Sequence, residues 1–531
     1  MNWTILIGFL VGLVIFIHGI ENFSSQIMKF AGEGFRKFLR YATRNRFISA
    51  ISGMLVTSVI QSSSVTTVIT ISLVSAGAIS FANSLGIIVG ANVGTTITAQ
   101  LVAFKITSFA PIFLITGFIL SFFGRQLKYI GRGIFYFGLL FYGLFLISEA
   151  IGPLSQHPGI HKAFAELSNP YIALLVGFLF TAIAQSSSIA TGIVVILAAS
   201  GFMTLEQGLP VLLGTNIGTT IKTIYISLNL SRFAKRTALA HMIFNILGVV
   251  IIWPFLPEFS SFVSSLGGSS AQQLANAHTI FNVLAAIIFL GLLTPFKKLI
   301  EKIIKTDEEE ILISAKYIEN GLPKTKKKMF SIIEKELTHF LHIAYKLYIK
   351  SSEFIISPSD KSKNTIEKYE VLANLLDEKI EGAILQLSTM NLTESEAKKT
   401  VLLVRISNMV EQLADTCKSL SGLRRSMSIS SLSLSDDALS SIKNIVEKTD
   451  KPFFELQKGF PYNIENTEKL NRRLAGVPPA ITKSYNEHIK RLKGRKAKGG
   501  SIFVEATSQI ENATIRIKEI ISLAQKYARL K

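Results

Sequence analysis

The chain has 531 residues, 49% of them hydrophobic, and a formal net charge of +20. The long apolar runs all precede Pro295 and the rest is dense in Lys and Glu, which excludes a single water-soluble globule. Much of the positive charge flanks apolar runs, where Lys and Arg mark a cytoplasmic face, so it is not read as a nucleic-acid footprint; the lone cysteine, Cys417, excludes an internal disulfide.

In chain order the apolar segments are 4–20, 47–76, 82–104, 107–124, 131–151, 171–202, 205–228, 236–257 and 276–296. The first has no basic residue before it and no small-residue cleavage site, and is read as a retained span. Between it and the second lies a stretch expected to be a cytoplasmic loop, with Lys29, Arg36, Lys37, Arg40, Arg44 and Arg46 against the single acid Glu33. Arg125, Lys128 and Arg132, then Arg232, Lys235 and Arg236, then Lys297, Lys298 and Lys302 mark three further cytoplasmic connections. The stretches near Lys105, 151–170 and 258–275 carry little positive charge. These marks agree only if 47–76 and 171–202 each enter and leave on one side. The expected fold is therefore all-α: seven crossing helices and two re-entrant hairpins, followed by a soluble helical bundle. The N-terminus lies outside and the C-terminal region in the cytoplasm. The membrane region is 1–300 and the bundle 301–531.

Residues 57–98 align with 181–222 without a gap at an offset of 124, with 16 identities in 42 positions. The shared residues include QSSS, a central Gly and Asn-x-Gly-Thr-Thr. Repeat one is set at 1–125, repeat two at 130–258, and 276–296 is an extra span. Each repeat holds three crossings, an odd number, so the second copy is inverted relative to the first. That is the architecture of secondary transporters, with broken helices at the midplane.

The run 47–104 contains no Asp, Glu, Lys or Arg, and 171–228 contains only Glu206 and Lys222. A hydrolase would need a base beside its serine, and a divalent-metal centre would need carboxylates or imidazoles. Neither is present, so an enzyme is not expected. What is present is neutral oxygen and amide. Gln61, Ser62, Ser63, Ser64 and Asn92, with Gln185, Ser186, Ser187, Ser188 and Asn216, are the candidate anion contacts. Serines opening a hairpin arm are N-caps, and the free N–H groups of two such helix starts attract an anion. Gln61, Ser64, Thr95, Thr96, Gln185, Ser188, Thr219 and Thr220 are the candidate Na+ ligands, supplied by hydroxyls, amides and exposed carbonyls. The Asn-x-Gly-Thr-Thr segment is expected to break each following span. Simple close packing through Ser and Thr would explain one such motif less specially; two copies with identical spacing favour a site.

The paired QSSS hairpins, ANVGTT and TNIGTT, and the later HMIFN (241–245) and HTIFN (278–282) resemble the sodium-dependent phosphate cotransporter family over about residues 1–300. The resemblance implies Na+-coupled symport of inorganic phosphate through the two hairpins, in a cell (inner) membrane, with Na+ as coupling ion and no organic cofactor. Electrogenic animal members use an extra intramembrane Asp; the two repeat cores here contain none. The readings left beside it are a symporter of another oxyanion or a carboxylate, and a phosphate receptor signalling through the bundle. A homo-oligomer is left open. The C-terminal region resembles PhoU-type cytosolic regulators of phosphate uptake, which implies candidate metal ligands at Glu370, Asp377, Glu411 and Asp415. It departs from that pattern at Gln412 and Ile515.

Of the other polar residues, His241, Asn245, His278 and Asn282 sit one turn apart in pairs and suggest hydrogen bonds between helices. Lys222 is expected to snorkel. The segment 426–441 reads as a flexible connector, and Lys490, Arg491, Lys493, Arg495, Lys496 and Lys498 as a solvated helix end.

Overall fold

The structure is a computed structural model, and it describes residues 3–41, 45–104, 106–153, 164–306, 310–318, 322–429, 433–464, 467–493 and 500–530. The chain divides into two compact units, Met1–Glu310 and Ile311–Lys531. The division falls ten residues beyond the expected one at 300, and residues 301–310 go with the first unit. All regular structure among the described residues is helical.

The first unit opens with α1 (Trp3–Tyr41), α2 (Arg46–Ile60), α3 (Ser63–Ser75), α4 (Phe81–Ala103), α5 (Ala110–Leu120) and α6 (Arg125–Ile151). It continues with α7 (Pro170–Ala184), α8 (Ser187–Ala199), α9 (Leu205–Gly218), α10 (Thr220–Ser227), α11 (Arg232–Ile252), α12 (Leu256–Ser265), α13 (Ser270–Gly291) and α14 (Leu293–Ile303). The helix pairs α2–α3 and α7–α8 have arms of 15 and 13 residues in both copies. At 1.5 Å per residue each arm is about 20–22 Å long, short of the roughly 30 Å hydrocarbon layer. Among the described residues, five helical stretches are long and apolar enough to cross, beginning at Trp3, Phe81, Leu127, Arg232 and Ser270.

The boundaries of both hairpins and the start of the following helix recur 124 residues on. Asn45 and Asn169 cap the first arms, each side-chain oxygen accepting from N–H groups of the first turn. Gln61 and Gln185 end those arms in the left-handed conformation, at φ 59° and 54°. Ser62 and Ser186, both extended, cap the second arms. Gly77 and Gly201 turn the chain at φ 73° and 78°, and Ser80 and Thr204 cap the next helices. The same small vocabulary of stops and starts thus builds both copies.

Glycine sets how closely the arms approach the following helices. A Cβ on Gly90 of α4 would lie 1.8 Å from the Ala50 carbonyl oxygen, and one on Gly214 of α9 would lie 2.0 Å from that of Leu174. Gly53 and Gly177 stand in the same relation to Ile87 and Val211. Such contacts let backbones pack where side chains would hold them apart.

Several expectations are corrected. The loop expected after residue 20 is helix: α1 runs 39 residues, to Tyr41. Its apolar spacing continues through Phe35 and the fully buried Leu39, which join the cluster around Val56, Ile60 and Ile69 of the first hairpin. The connection at 258–275 contains α12. The expected break at Asn-x-Gly-Thr-Thr occurs only in the second copy, between α9 and α10, whereas α4 runs unbroken through Asn92–Thr96. Of the seven expected crossings, 107–124 holds the 11-residue α5 and 205–228 is divided at Thr219 into α9 and α10. The outer surface of this unit is apolar, with Ile183, Tyr225, Phe122 and Tyr171 among its exposed side chains, as a lipid-facing protein requires.

The second unit is built from α15 (Lys326–Ile356), α16 (Asp360–Ser388), α17 (Glu394–Ile429), α18 (Asp436–Gly459), α19 (Thr467–Ala475), α20 (Val477–Lys493) and α21 (Gly500–Arg529). Residues Met329, Ile333, Leu337, Phe340, Ala344 and Leu347 recur at helical spacing along α15 and are buried in one core with the faces of α16, α17 and α21. Buried Glu336 accepts backbone N–H groups from Lys316, Tyr317 and Ile318 and pairs with His339 at 2.9 Å. The expected connector at 426–441 is helix up to Ile429 and from Asp436; 430–432 lie outside the described residues. Of the basic cluster, Lys490, Arg491 and Lys493 end α20; Arg495, Lys496 and Lys498 lie outside the described residues.

Candidate functional site

The two QSSS turns meet. Ser188 Oγ donates to the Gln61 carbonyl oxygen at 3.1 Å, and Thr98 Oγ1 of α4 donates to Gln61 Oε1 at 2.6 Å and lies 3.5 Å from Ser188 Oγ. Ser188 sits in the first turn of α8 and Gln61 ends α2, so the second hairpin touches the first at its helix break. The left-handed turn at Gln61 makes this reachable, because it swings the carbonyl off the helix axis. Within the first hairpin, Thr57 Oγ1 donates to Thr66 Oγ1 at 2.9 Å and ties the arms together.

Ser62 Oγ accepts from the Val65 N–H at 3.3 Å and Ser186 Oγ from the Ile189 N–H at 3.5 Å. The remaining N–H groups of these first turns lack helical partners. Ser63, Ser64, Ser187 and Ser188 lie beside them, each 5% exposed or less. Among the described residues, the hydroxyls of Ser63, Ser64 and Ser187 take no protein partner, which leaves them free to contact a ligand. Thr95 and Thr96 donate to carbonyls three or four residues back in α4, and Thr219 and Thr220, at the break between α9 and α10, donate to the Thr215 and Ile217 carbonyls of α9. Their protons are spent, but the oxygen lone pairs remain open to a cation.

Asn92 and Asn216 carry bonds between helices. Asn92 Nδ2 donates to Asn245 Oδ1 at 2.6 Å, and Asn216 Nδ2 to Asn282 Oδ1 at 3.3 Å. Asn245 and Asn282 in turn donate to the His241 and His278 carbonyls one turn back. His278 Nε2 lies 3.3 Å from Asn216 Oδ1, and His241 Nδ1 lies 3.2 Å from Thr223 Oγ1. The HMIFN and HTIFN segments are thus matched partners for the two Asn-x-Gly-Thr-Thr segments. One amide donor of each Asn is committed to that role.

Two of the substitutions between the copies change hairpin hydrogen bonds. Thr98 aligns with Lys222, so Gln185 has no equivalent of the Thr98 bond and its side chain is exposed while Gln61 is buried. Thr66 aligns with Ala190, which leaves Thr181 Oγ1 buried without a partner. Thr98, the Asn45 and Asn169 caps and the glycine contacts were missed in the sequence. The spacing Gly86, Gly90, Gly94 is the signal that could have found the last.

In the second unit, Glu370 and Asp377 on α16 and Glu411 and Asp415 on α17 are close enough to influence one another. Desolvation first, and repulsion from Asp415 with its neighbours, raise the carboxyls of Glu370, Asp377 and Glu411 above their usual range. Among the described residues, no three acid, His or Cys side chains are gathered so as to hold a metal ion.

The family model described as Na+/Pi-cotransporter matches residues 15–149 and 158–254. The chain is 33% identical over 272 residues to the uncharacterised protein YqeW of Bacillus subtilis, covering 51% of this chain and 89% of that one. It is 26% identical over 258 residues to the putative inorganic phosphate export protein YjbB of Escherichia coli K12, covering 47% of each. A shorter stretch of 101 residues is 38% identical to the sheep sodium-dependent phosphate transport protein 2A, covering 18% of this chain and 16% of that one. The chain therefore spans most of YqeW but about half of YjbB. No solved structure matches. With this match to YqeW, the matched family model and an apolar helical unit suited to a bilayer, the chain belongs to the Na+/Pi-cotransporter family.

Proposed function

We propose that the protein is a secondary active transporter coupling Na+ to inorganic phosphate by alternating access, with the two QSSS hairpins as its site. The observation that carries this reading is the contact between Ser188 and Gln61, which joins two equivalent helix breaks. Phosphate is bound by the free N–H groups and hydroxyls at the starts of the second arms, from Ser62, Ser63, Ser64, Ser186, Ser187 and Ser188, and by the side-chain amides of Gln61 and Gln185, with Asn92 and Asn216 behind them. Na+ takes the oxygens of Gln61, Ser64, Thr95, Thr96, Gln185, Ser188, Thr219 and Thr220. The hairpin boundaries shared at an offset of 124 support a repeated pair; with three crossings in each copy that pair is inverted, and its rocking exposes the site to each side in turn. In this reading the N-terminus is outside, and the second unit is a cytoplasmic regulator of the PhoU type.

Net export is the second reading, favoured by the name of the YjbB relatives; a coupled carrier runs whichever way its gradients point. Radiolabelled phosphate flux in proteoliposomes tests both. Accumulation is expected only with an inward Na+ gradient, and Ser188→Ala should lower it. The 1–3 kcal/mol cost of an orphaned buried partner corresponds to about 5- to 150-fold weaker binding. Flux indifferent to Na+ in either direction would overturn the coupling.

A further inference from the structure

The apolar outer surface of the first unit carries a groove walled by α7 and α11, with α9 at its floor. Ile246, Val249 and Val250 of α11, and Trp253 directly after it, recur at i, i+3, i+4 and i+7 and so share one face. Tyr171 and Leu174 of α7 line the other wall, and Ile217 of α9 lies between. The space has a volume of about 440 Å³, the size of a ligand pocket rather than of a packing gap. At one end Tyr171 meets Trp253, with ring centroids 5.2 Å apart. Both rings stand at helix ends, where α7 begins and α11 stops. Tyr and Trp gather at such ends, where hydrocarbon gives way to water.

The lining decides the occupant. Apart from the phenol and indole at the aromatic end, its side chains offer only carbon, so neither phosphate nor Na+ is held here. Val250 at the rim is 57% exposed and Val249 beside it 5%. The groove therefore opens outward, onto the face that the bilayer covers, and the apolar partner present there is an acyl chain. The aromatic pair sets its direction, with the headgroup at the rings and the tail along α11. Charge selects the headgroup. Residues 164–184 and 246–275, which run to and from that end, contain Glu166 and Glu258 and no Lys or Arg. An anionic headgroup finds no counter-charge in these stretches, whereas one that carries an amine is not repelled.

We propose that the α7–α11 groove is a binding site for one acyl chain of a zwitterionic phospholipid, with the headgroup beside Tyr171 and Trp253. The floor puts that chain next to the break in the second copy. The Ile217 carbonyl accepts the Thr220 hydroxyl at 2.7 Å, and the adjacent Asn216 donates to Asn282. The site rests on the apolar unit lying in a bilayer and not on what that unit transports.

Photolabelling of the full chain in nanodiscs tests it, with a diazirine on the acyl chain of phosphatidylethanolamine or of phosphatidylglycerol. The phosphatidylethanolamine probe should label peptides holding 171–174 and 246–253 several-fold more than those of α5. Ile112, Ile115, Phe118 and Ile119 of α5 are just as open to lipid but line no such groove. The phosphatidylglycerol probe should label the groove less. Val250→Trp fills the groove from its rim and should bring labelling there down to the α5 level, as should Ile246→Trp; Ile115→Trp should leave it unchanged. Even labelling of α11 and α5 in the unaltered chain overturns the site whether or not the variants fold. Excess labelling that survives both fillings overturns it too. Phosphatidylglycerol labelling the groove as strongly as phosphatidylethanolamine overturns the choice of headgroup.

Discussion

At Gln61 and Gln185 the backbone does something costly for its residue type. A non-glycine residue in the left-handed region gives up roughly 1 kcal/mol relative to glycine, and the chain does so at both hairpin tips. At Gln61 the side chain offsets this through Thr98; at Gln185, where Lys222 replaces that threonine, it does not. Gln185→Gly should therefore leave thermal stability in detergent unchanged or raised by about 1 kcal/mol, whereas Gln61→Gly should lower it. If Gln185 contacts the ligands, its glycine variant should still lose phosphate binding, so a stable, fully binding variant would remove it from the site. A second residue governs acid sensitivity in the other unit. Burial pushes the Glu336 carboxyl up, but the His339 hydrogen bond and three backbone N–H groups outweigh it and hold it below the usual range. A depressed carboxyl stabilises the fold above its unfolded value, near pH 4.3, and that stability is lost as pH falls through the lower folded value. Melting of the second unit should drop in this window, and Glu336→Gln should cost about 1–3 kcal/mol at pH 7 while flattening the acid limb.

At the scale of elements, contact between hairpin and following helix rests on missing Cβ atoms. Gly90→Ala and Gly214→Ala each place a methyl under 3 Å from a backbone oxygen that cannot swing aside. Each should destabilise the membrane unit by about 1–3 kcal/mol or more and reduce phosphate flux. Gly34→Ala, on an exposed face of α1 with nothing within 4 Å, is the control; helix propensity alone should stabilise it by up to about 1 kcal/mol. Equal damage at all three positions would mean that the glycines serve some purpose other than close approach.

At the scale of the whole molecule, the first unit extends further than its apolar runs. Glu310 accepts from the Phe81 N–H at the start of α4, at 2.6 Å, and Arg236 donates to the Ile304 carbonyl at 2.9 Å. A chain ending after Lys305 should still bind phosphate but melt lower than one ending after Leu312, by about 1 kcal/mol for the lost cap. Identical melting of the two would show that the Glu310 contact contributes nothing. The inverted arrangement has its own test. With the native Cys417 buried, Arg46→Cys and Ala76→Cys should both label from the cytoplasm, and Tyr171→Cys and Thr204→Cys both from outside. Members of one pair labelling from opposite faces would make that hairpin a crossing.

The sequence by itself determined what local rules control. Apolar length separates the bilayer unit from the charged bundle, and Ser62 and Ser186 announce helix starts because capping acts within three residues. The offset of 124 announces two copies, and the one-turn spacing of His241 with Asn245 and of His278 with Asn282 points to bonds between helices. Only the tertiary structure decided which groups meet. Ser188 and Gln61 are 127 residues apart, and no periodicity spans that distance. Nor could the sequence weigh the two departures from symmetry. Lys222 for Thr98 and Ala190 for Thr66 look like ordinary drift between copies, until packing shows that one leaves Gln185 exposed and the other strands the Thr181 hydroxyl. The length of α1 was likewise a matter of packing: its basic residues read as a loop, but Phe35 and Leu39 bury against the first hairpin, and helix continues wherever its apolar stripe finds a partner.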